Sequence, residues 1–249
     1  MNNTTHFTLQ GKGGVGKSLV SSMVAQYLLS KGYEPACADT DPVNSTFHQI
    51  KGLDVEMIPI SEGGVVLQKL FDPLFETILD TTAPVVVDNG ASTFMPMAKY
   101  LKQNEVFSVL EEHGKAVFIH TIITGGQAKD DTATGLIALL DLVAGSNAKV
   151  VVWQNEFWGI PMFNGVSLEK MPWMTKNKDK IAGIVKIIDR NDDATASDMR
   201  LMSEKHLTLE QVKSSDEFKL FSKSRIQRVF NDVFAELDAV FGGTDEKPV

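Results

Sequence analysis

Short apolar runs alternate with longer amphipathic stretches along this chain. Phe7-Thr8-Leu9 leads into a glycine-rich turn. Ser18 to Lys31 then repeats apolar positions at helical spacing, with Gly32 as its stop. Pro35 to Asp39 reads as a strand, and Val65, Val66, Leu70, Leu74, Ile78 and Leu79 mark one helical face. Pro84-Val85-Val86-Val87-Asp88 is apolar on both faces, as a strand inside a parallel sheet is. Ala116 to Thr124 is another strand and Asp131 to Ala144 a helix. Val150-Val151-Val152-Trp153 and Ala182 to Ile188 are two more strands, and residues 222–241 are amphipathic. There is no internal repeat. Strands alternating with helices predict an α/β fold, a mostly parallel central sheet flanked by helices. The expectation is one domain over residues 1–249, ending in an amphipathic helix at about 222–241. Ligands of such sheets bind at the carboxyl ends of the strands, so functional motifs should fall just after strands.

The first motif does. Gly11-Lys12-Gly13-Gly14-Val15-Gly16-Lys17-Ser18 fits the phosphate-loop pattern G-x-x-x-x-G-K-S/T between a strand and a helix. Glycines turn backbone N–H groups toward phosphate oxygens with no Cβ in the way, and the next helix adds its positive N-terminal end. Gly11, Gly13, Gly14, Val15, Gly16, Lys17, Ser18 and Leu19 are therefore the expected nucleotide contacts. Lys17 can neutralise β- and γ-phosphate charge and Ser18 can ligate Mg²⁺. Val85-Val86-Val87-Asp88 ends an apolar strand in a carboxylate, the arrangement that holds Mg²⁺ near a phosphate loop. Ala38-Asp39-Thr40-Asp41-Pro42-Val43-Asn44 follows another strand, and two aspartates two residues apart share a side of an extended chain.

The extra lysine at position 12 makes GKGGVGKS resemble the deviant phosphate loop of the MinD/ParA class of ATPases. The resemblance implies a P-loop NTPase fold, Mg²⁺ and ATP as cofactors, and an ATP-dependent homodimer in which Lys12 reaches the partner's nucleotide. It further implies that Asp41 positions the attacking water and Asp39 supports the Mg²⁺ shell. It also implies that Asn155, at the tip of a later strand, binds the adenine edge. A side-chain amide can donate and accept at once, as adenine N6 and N7 require. A GTPase would carry Asn-Lys-x-Asp there, whereas this chain has Asn155-Glu156-Phe157-Trp158. Asn177-Lys178-Asp179 is a near miss with no strand before it. Lys12, Lys17 and Asp41 are thus the catalytic candidates, and Ser18, Asp39 and Asp88 the metal candidates.

Several stretches narrow the resemblance to one branch, the TraL family of IncP-type conjugative transfer systems. They are Asp39-Thr40-Asp41-Pro42-Val43-Asn44, Asp88-Asn89-Gly90-Ala91-Ser92, Thr124-Gly125-Gly126-Gln127-Ala128 and Val151-Val152-Trp153-Gln154-Asn155. That branch implies an ATPase switch of slow turnover and a protein partner in a type IV secretion apparatus. A ParA-like partition ATPase binding DNA and an ATP-dependent metabolic synthetase are the alternatives.

Composition adjusts this picture. The net charge is −8, from 24 basic and 32 acidic residues, which argues against a general nucleic-acid coat. All four arginines, Arg190, Arg200, Arg225 and Arg228, lie in the last quarter. Phosphate chemistry in the first 189 residues would fall to lysine and backbone. Neither a signal peptide nor a membrane span is expected, so the predicted location is cytoplasmic, with the inner-membrane surface as the alternative. The stripe Ile226, Val229, Phe230, Val233, Phe234, Leu237, Val240 and Phe241 suits packing on the sheet better than a lipid surface, because its charged neighbours are mixed in sign. Cys37 is expected to be a buried structural thiol, and Phe157, Trp158 and Trp173 to anchor loops.

Overall fold

In a computed structural model, residues 1–242 are described. Residues 243–249 of the expected domain lie outside them. β1 (Thr4–Thr8) runs through the glycine turn into α1 (Lys17–Ser30). β2 (Ala36–Asp39), β3 (Val55–Met57) and a hairpin of β4 (Ser61–Glu62) and β5 (Val65–Val66) precede α2 (Asp72–Asp80). β6 (Val85–Asp88) leads to α3 (Phe94–Gln103) and α4 (Val106–Glu112), and β7 (Ala116–Thr124) to α5 (Lys129–Val143). After β8 (Lys149–Asn155) come a second hairpin, β9 (Met162–Phe163) with β10 (Val166–Ser167), and α6 (Pro172–Lys176). β11 (Ile181–Ile187), α7 (Asp193–Glu204), α8 (Leu209–Ser214) and α9 (Leu220–Phe241) complete the order.

Seven strands form one sheet in the order β11-β8-β7-β1-β6-β2-β3, and every neighbouring pair is parallel. The chain places β2, β3 and β6 on one side of β1 and β7, β8 and β11 on the other. The crevice at the carboxyl end of β1 is therefore where a ligand site is expected. Alternation along the strands feeds two cores. Val85, Val87, Val150 and Val152 pack toward α2–α5, while Val86, Val151 and Trp153 pack toward α1 and α7–α9.

The expected helical face over 65–79 is shorter than predicted. Val65 and Val66 belong to the β4–β5 hairpin, and the helix starts only at Asp72, with Pro73 in its first turn. Two nearby apolar residues fit either period, so the pattern could not separate them. The C-terminal stripe faces inward: Ile226, Val229, Phe230, Val233, Leu237 and Phe241 are all buried. Among the described residues no helix is long and apolar enough to cross a membrane. Cys37 is buried, and burial pushes its thiol up to about 12.

The core toward α9 contains a polar column. Trp153 Nε1, which can only donate, bonds His120 Nδ1 at 2.9 Å. His120 Nε2 therefore carries its ring proton and donates to His6 Nδ1 at 2.9 Å, leaving His6 Nε2–H to donate to Thr4 Oγ1 at 3.1 Å. Thr4 Oγ1 in turn donates to the Met1 carbonyl at 2.7 Å. Burial pushes His6 down to about 3 and His120 well below the ordinary histidine value, so both rings are neutral.

Candidate functional site

Gln10 fixes the start of the phosphate loop. It is buried, and its Nε2 donates to the Ile122 carbonyl at 2.9 Å and the Thr132 carbonyl at 3.2 Å. Gly14 (φ +73°) and Gly16 (φ +104°) then sit in the left-handed region, where a side chain would be strained. Gly16 caps α1 without a side chain, so the first-turn N–H groups of the helix stay free for an acceptor.

Four predicted side chains converge here. Lys17 is buried and its Nζ donates to the Lys12 carbonyl at 3.0 Å. Burial lowers its pKa, and the nearby carboxylates of Asp88 and Asp41 oppose that shift. Ser18 Oγ donates to Asp88 Oδ2 at 2.6 Å. Ser21 Oγ donates to Asp88 Oδ1 at 2.9 Å and lies 2.8 Å from Thr8 Oγ1. Burial pushes Asp88 up to about 7, against the two hydroxyl bonds. Asp41 Oδ1 accepts the Val43 N–H at 2.9 Å and the Asn44 N–H at 3.1 Å, which holds its carboxylate beside the loop. Gly13, Gly14, Gly16, Lys17, Ser18 and Asp41 line a cavity of about 600 Å³.

Asp39 takes a different place. Its Oδ1 accepts the Asp41 N–H at 2.9 Å and its Oδ2 the His48 N–H at 3.0 Å, and it is fully buried. Both oxygens thus shape the loop that carries Asp41, and burial raises the pKa. Lys12 points away from the cavity: its Nζ is 2.8 Å from Asp131 Oδ2 on the first turn of α5, both side chains being exposed. Gly11 packs under the ring of Phe94. Val15 and Asn155 belong to a second cavity that shares the walls Gly14, Gly16, Leu19 and Ser203 with the first. Asn155 Nδ2 donates to the Val15 carbonyl at 3.0 Å and Oδ1 accepts the Phe157 N–H at 3.2 Å, so this amide braces the loop.

The Asn89-Gly90 pair has a local cause. Asn89 Oδ1 accepts the Thr40 hydroxyl at 2.9 Å and Nδ2 donates to the Thr8 carbonyl at 3.3 Å, tying β6 to both its neighbours. A Cβ at Gly90 would lie 2.6 Å from the Asp41 carboxyl carbon, so a side chain there would displace Asp41. Asn177, Lys178 and Asp179 precede β11, at the rim opposite the site. Sequence reasoning missed Ser21, Gly90, Arg190 and Arg200. The two arginines line the second cavity because α7 and the segment before it fold back beside the phosphate loop. No pattern along the chain signals that return. Trp173 packs edge-on against Phe163 as a loop anchor, but Phe157 and Trp158 are exposed, contrary to expectation.

The donor set fits Mg²⁺. A serine hydroxyl and a carboxylate lie side by side, both hard oxygen donors, and Mg²⁺ bound to phosphates takes only one or two protein oxygens. Among the described residues no group of three or more His, Cys, Asp or Glu side chains gathers to hold an ion alone.

A glycine loop opening a helix, a buried lysine and a strand-tip aspartate at the reversal point of a parallel sheet define a P-loop nucleotide-binding fold. The profile of the CobQ/CobB/MinD/ParA nucleotide binding domain matches residues 7–234, and the chain belongs to that family. The match is to a nucleotide-binding domain, and the MinD/ParA members of the family are P-loop ATPases. Within the class the chain resembles TraL: it is 39% identical over 234 residues to a protein TraL of Escherichia coli, covering 94% of this chain and 97% of that one. Many solved structures share the fold, and two of them illustrate it. One is the ParA family ATPase from Chlorobium tepidum TLS (14% identity, 94% of this chain and 98% of that one, TM-score 0.51). The other is the MinC:MinD cell division protein complex of Aquifex aeolicus (15% identity, 99% and 98%, TM-score 0.50).

Proposed function

We propose that the protein is a Mg-ATP-dependent switch that hydrolyses ATP slowly and works with a protein partner in a conjugative transfer apparatus. The observation that carries the ATPase reading is the cluster of Lys17, Ser18, Asp88 and Asp41 around an open helix N-terminus. In this reading backbone N–H groups of residues 13–18 and Lys17 hold the β- and γ-phosphates. Ser18 and Asp88 would hold Mg²⁺, which would supply positive charge beside the phosphates. Asp41 orients the attacking water. Asp39 acts through Asp41, by fixing the loop that carries it, and Asn155 keeps one amide N–H for the base. Lys12 completes the site of a second copy after leaving Asp131. The conjugative role rests on the likeness to TraL.

Two observations weigh against direct DNA binding. About a third of the basic charge in the C-terminal third is already matched: Lys186 pairs with Glu169, Lys205 with Glu217, Lys213 with Glu210, Arg190 with Asp232 and Arg225 with Asp198. The net charge is also acidic. A synthetase would need a second substrate, so phosphate release from ATP alone separates the readings.

The test is light scattering coupled to size exclusion, with and without Mg-ATP, alongside phosphate release. ATP should convert monomer to dimer, and turnover should need no added metabolite. Lys12→Ala should bind ATP normally and lose about tenfold or more in hydrolysis, together with dimerisation. Full turnover in that variant would remove Lys12 from the mechanism.

A further inference from the structure

The second cavity, of about 320 Å³, has no assigned occupant in the phosphate chemistry. It starts at Gly14, Gly16 and Leu19, so it continues directly from the phosphate loop. Ile187, Ile188 and Met199 supply an apolar wall. Phe157 and Trp158 line the same cavity; they are 52% and 57% exposed and touch each other edge-on with ring centroids 4.8 Å apart.

The backbone under these two rings is held from several sides. Asn155 Oδ1 accepts the Phe157 N–H and closes the turn over 156–158. Glu156, also buried, accepts from Gln154 Nε2 at 2.8 Å and from the Asp189 N–H at 3.3 Å, which ties the turn to the segment after β11. The Gly159 N–H returns to the Glu156 carbonyl at 2.7 Å. Gly125 lies beneath: a Cβ there would be 2.2 Å from the Gly159 carbonyl oxygen and 2.8 Å from that of Trp158. The Thr124-Gly125-Gly126-Gln127 stretch, singled out in the sequence but unused by the phosphate chemistry, is thus what lets this turn seat. A fixed turn carries two large aromatic rings that the chain itself leaves half uncovered, beside an apolar slot.

We propose that Phe157 and Trp158 clamp the purine base of the bound nucleotide, the base stacking in the slot between these rings and the Ile187–Ile188 wall. This rests on the ATP reading above and adds its base-binding residues. Stacking is tolerant of base identity, because every base has a π-face. The clamp therefore supplies affinity, while Asn155 supplies the hydrogen-bonding edge.

Titration calorimetry on the full chain tests it with two probes, Mg-ADP and inorganic tripolyphosphate, which has no base. Trp158→Ala and Phe157→Ala should each weaken Mg-ADP by about tenfold and leave tripolyphosphate unchanged. Trp158→Phe should recover most of the loss. Wild-type tryptophan fluorescence should change on adding Mg-ADP, and that change should vanish in Trp158→Phe. Equal Mg-ADP affinity in Trp158→Ala and wild type would overturn the clamp, as would parallel weakening of both probes. A variant that alters self-association while binding Mg-ADP normally would likewise overturn it and reassign the rings to a protein contact. Wild-type protein that binds tripolyphosphate but not Mg-ADP would sink the clamp alone; binding neither would sink the phosphate-loop reading as well.

Discussion

One face of β1 serves two buried polar networks, and they are built on opposite terms. His6, in the middle of the strand, belongs to the column Trp153–His120–His6–Thr4, which is neutral throughout. Each ring nitrogen has one partner, so nothing remains for a ligand. Thr8, at the end of the strand, touches the Ser21–Asp88–Ser18 cluster, which mixes a carboxylate with hydroxyls beside Lys17. Its contacts are ones an incoming Mg²⁺ and phosphate can replace: a serine proton on a carboxylate and a lysine on a backbone carbonyl. Buried polarity that is fully and neutrally paired specifies structure; buried polarity paired through exchangeable charged contacts prepares a binding site.

Acid should separate the two most strongly. Both histidines are neutral in the folded chain and take up protons on unfolding, where an ordinary histidine titrates near 6.5. Their folded values are depressed, so the unfolded state binds more protons as pH falls from about 6.5 toward 3, and stability drops. Asp88, whose folded value is raised, works in the opposite direction. Subtracting the urea-denaturation curve of a His6→Leu/His120→Leu variant removes that contribution. The wild type should then lose about 2.7 kcal/mol more per pH unit between pH 6 and 4, one proton for each histidine. Equal slopes would show that the column does not exclude protons.

Next in size is Lys17→Ala, which should abolish measurable Mg-ATP binding, a loss of at least about thirtyfold, while leaving the histidine-dependent slope intact. Calorimetry reads the first and denaturation the second. ATP binding like that of the wild type would unseat the phosphate-loop assignment. The smallest effect belongs to Ser21→Ala. Losing its bond to Asp88 should lower stability by about 1 kcal/mol. If thermal unfolding shows no change, Ser21 is a spectator of the rim rather than a support of Asp88.

The rim was far more legible than the column. The phosphate loop and Asp88 are read from spacing within a few residues, because strand, turn and helix N-terminus are local in the chain. The parallel sheet followed from apolar runs such as Val85-Val86-Val87. His6 and His120, in contrast, are 114 positions apart and meet only because β1 and β7 pair, so their lack of metal-ligand spacing said nothing about what they do. Distance along the chain also hid the arginines, which α7 and the segment before it return to the second cavity, and the cause of Gly125, which lies under the 158–159 carbonyls. Asp39 was placed at the right strand tip, but its two backbone partners were hidden, because spacing shows which side of a strand a carboxylate takes and not which N–H groups it meets.

The position of β1 also sets an order of assembly. This strand is made first, yet it lies between β6 and β7, whose pairing residues are Val85–Asp88 and Ala116–His120. At about 5–20 residues per second of synthesis, on the order of ten seconds passes before its second neighbour exists. During that time a segment with one apolar face and a histidine to bury has no sheet to enter, and the phosphate loop attached to it has no fixed strand behind it. Long-range parallel pairing of this kind is slow to form. Nascent chains stopped before residue 124 should therefore expose β1 to protease, and nucleotide should protect it only once β7 has emerged.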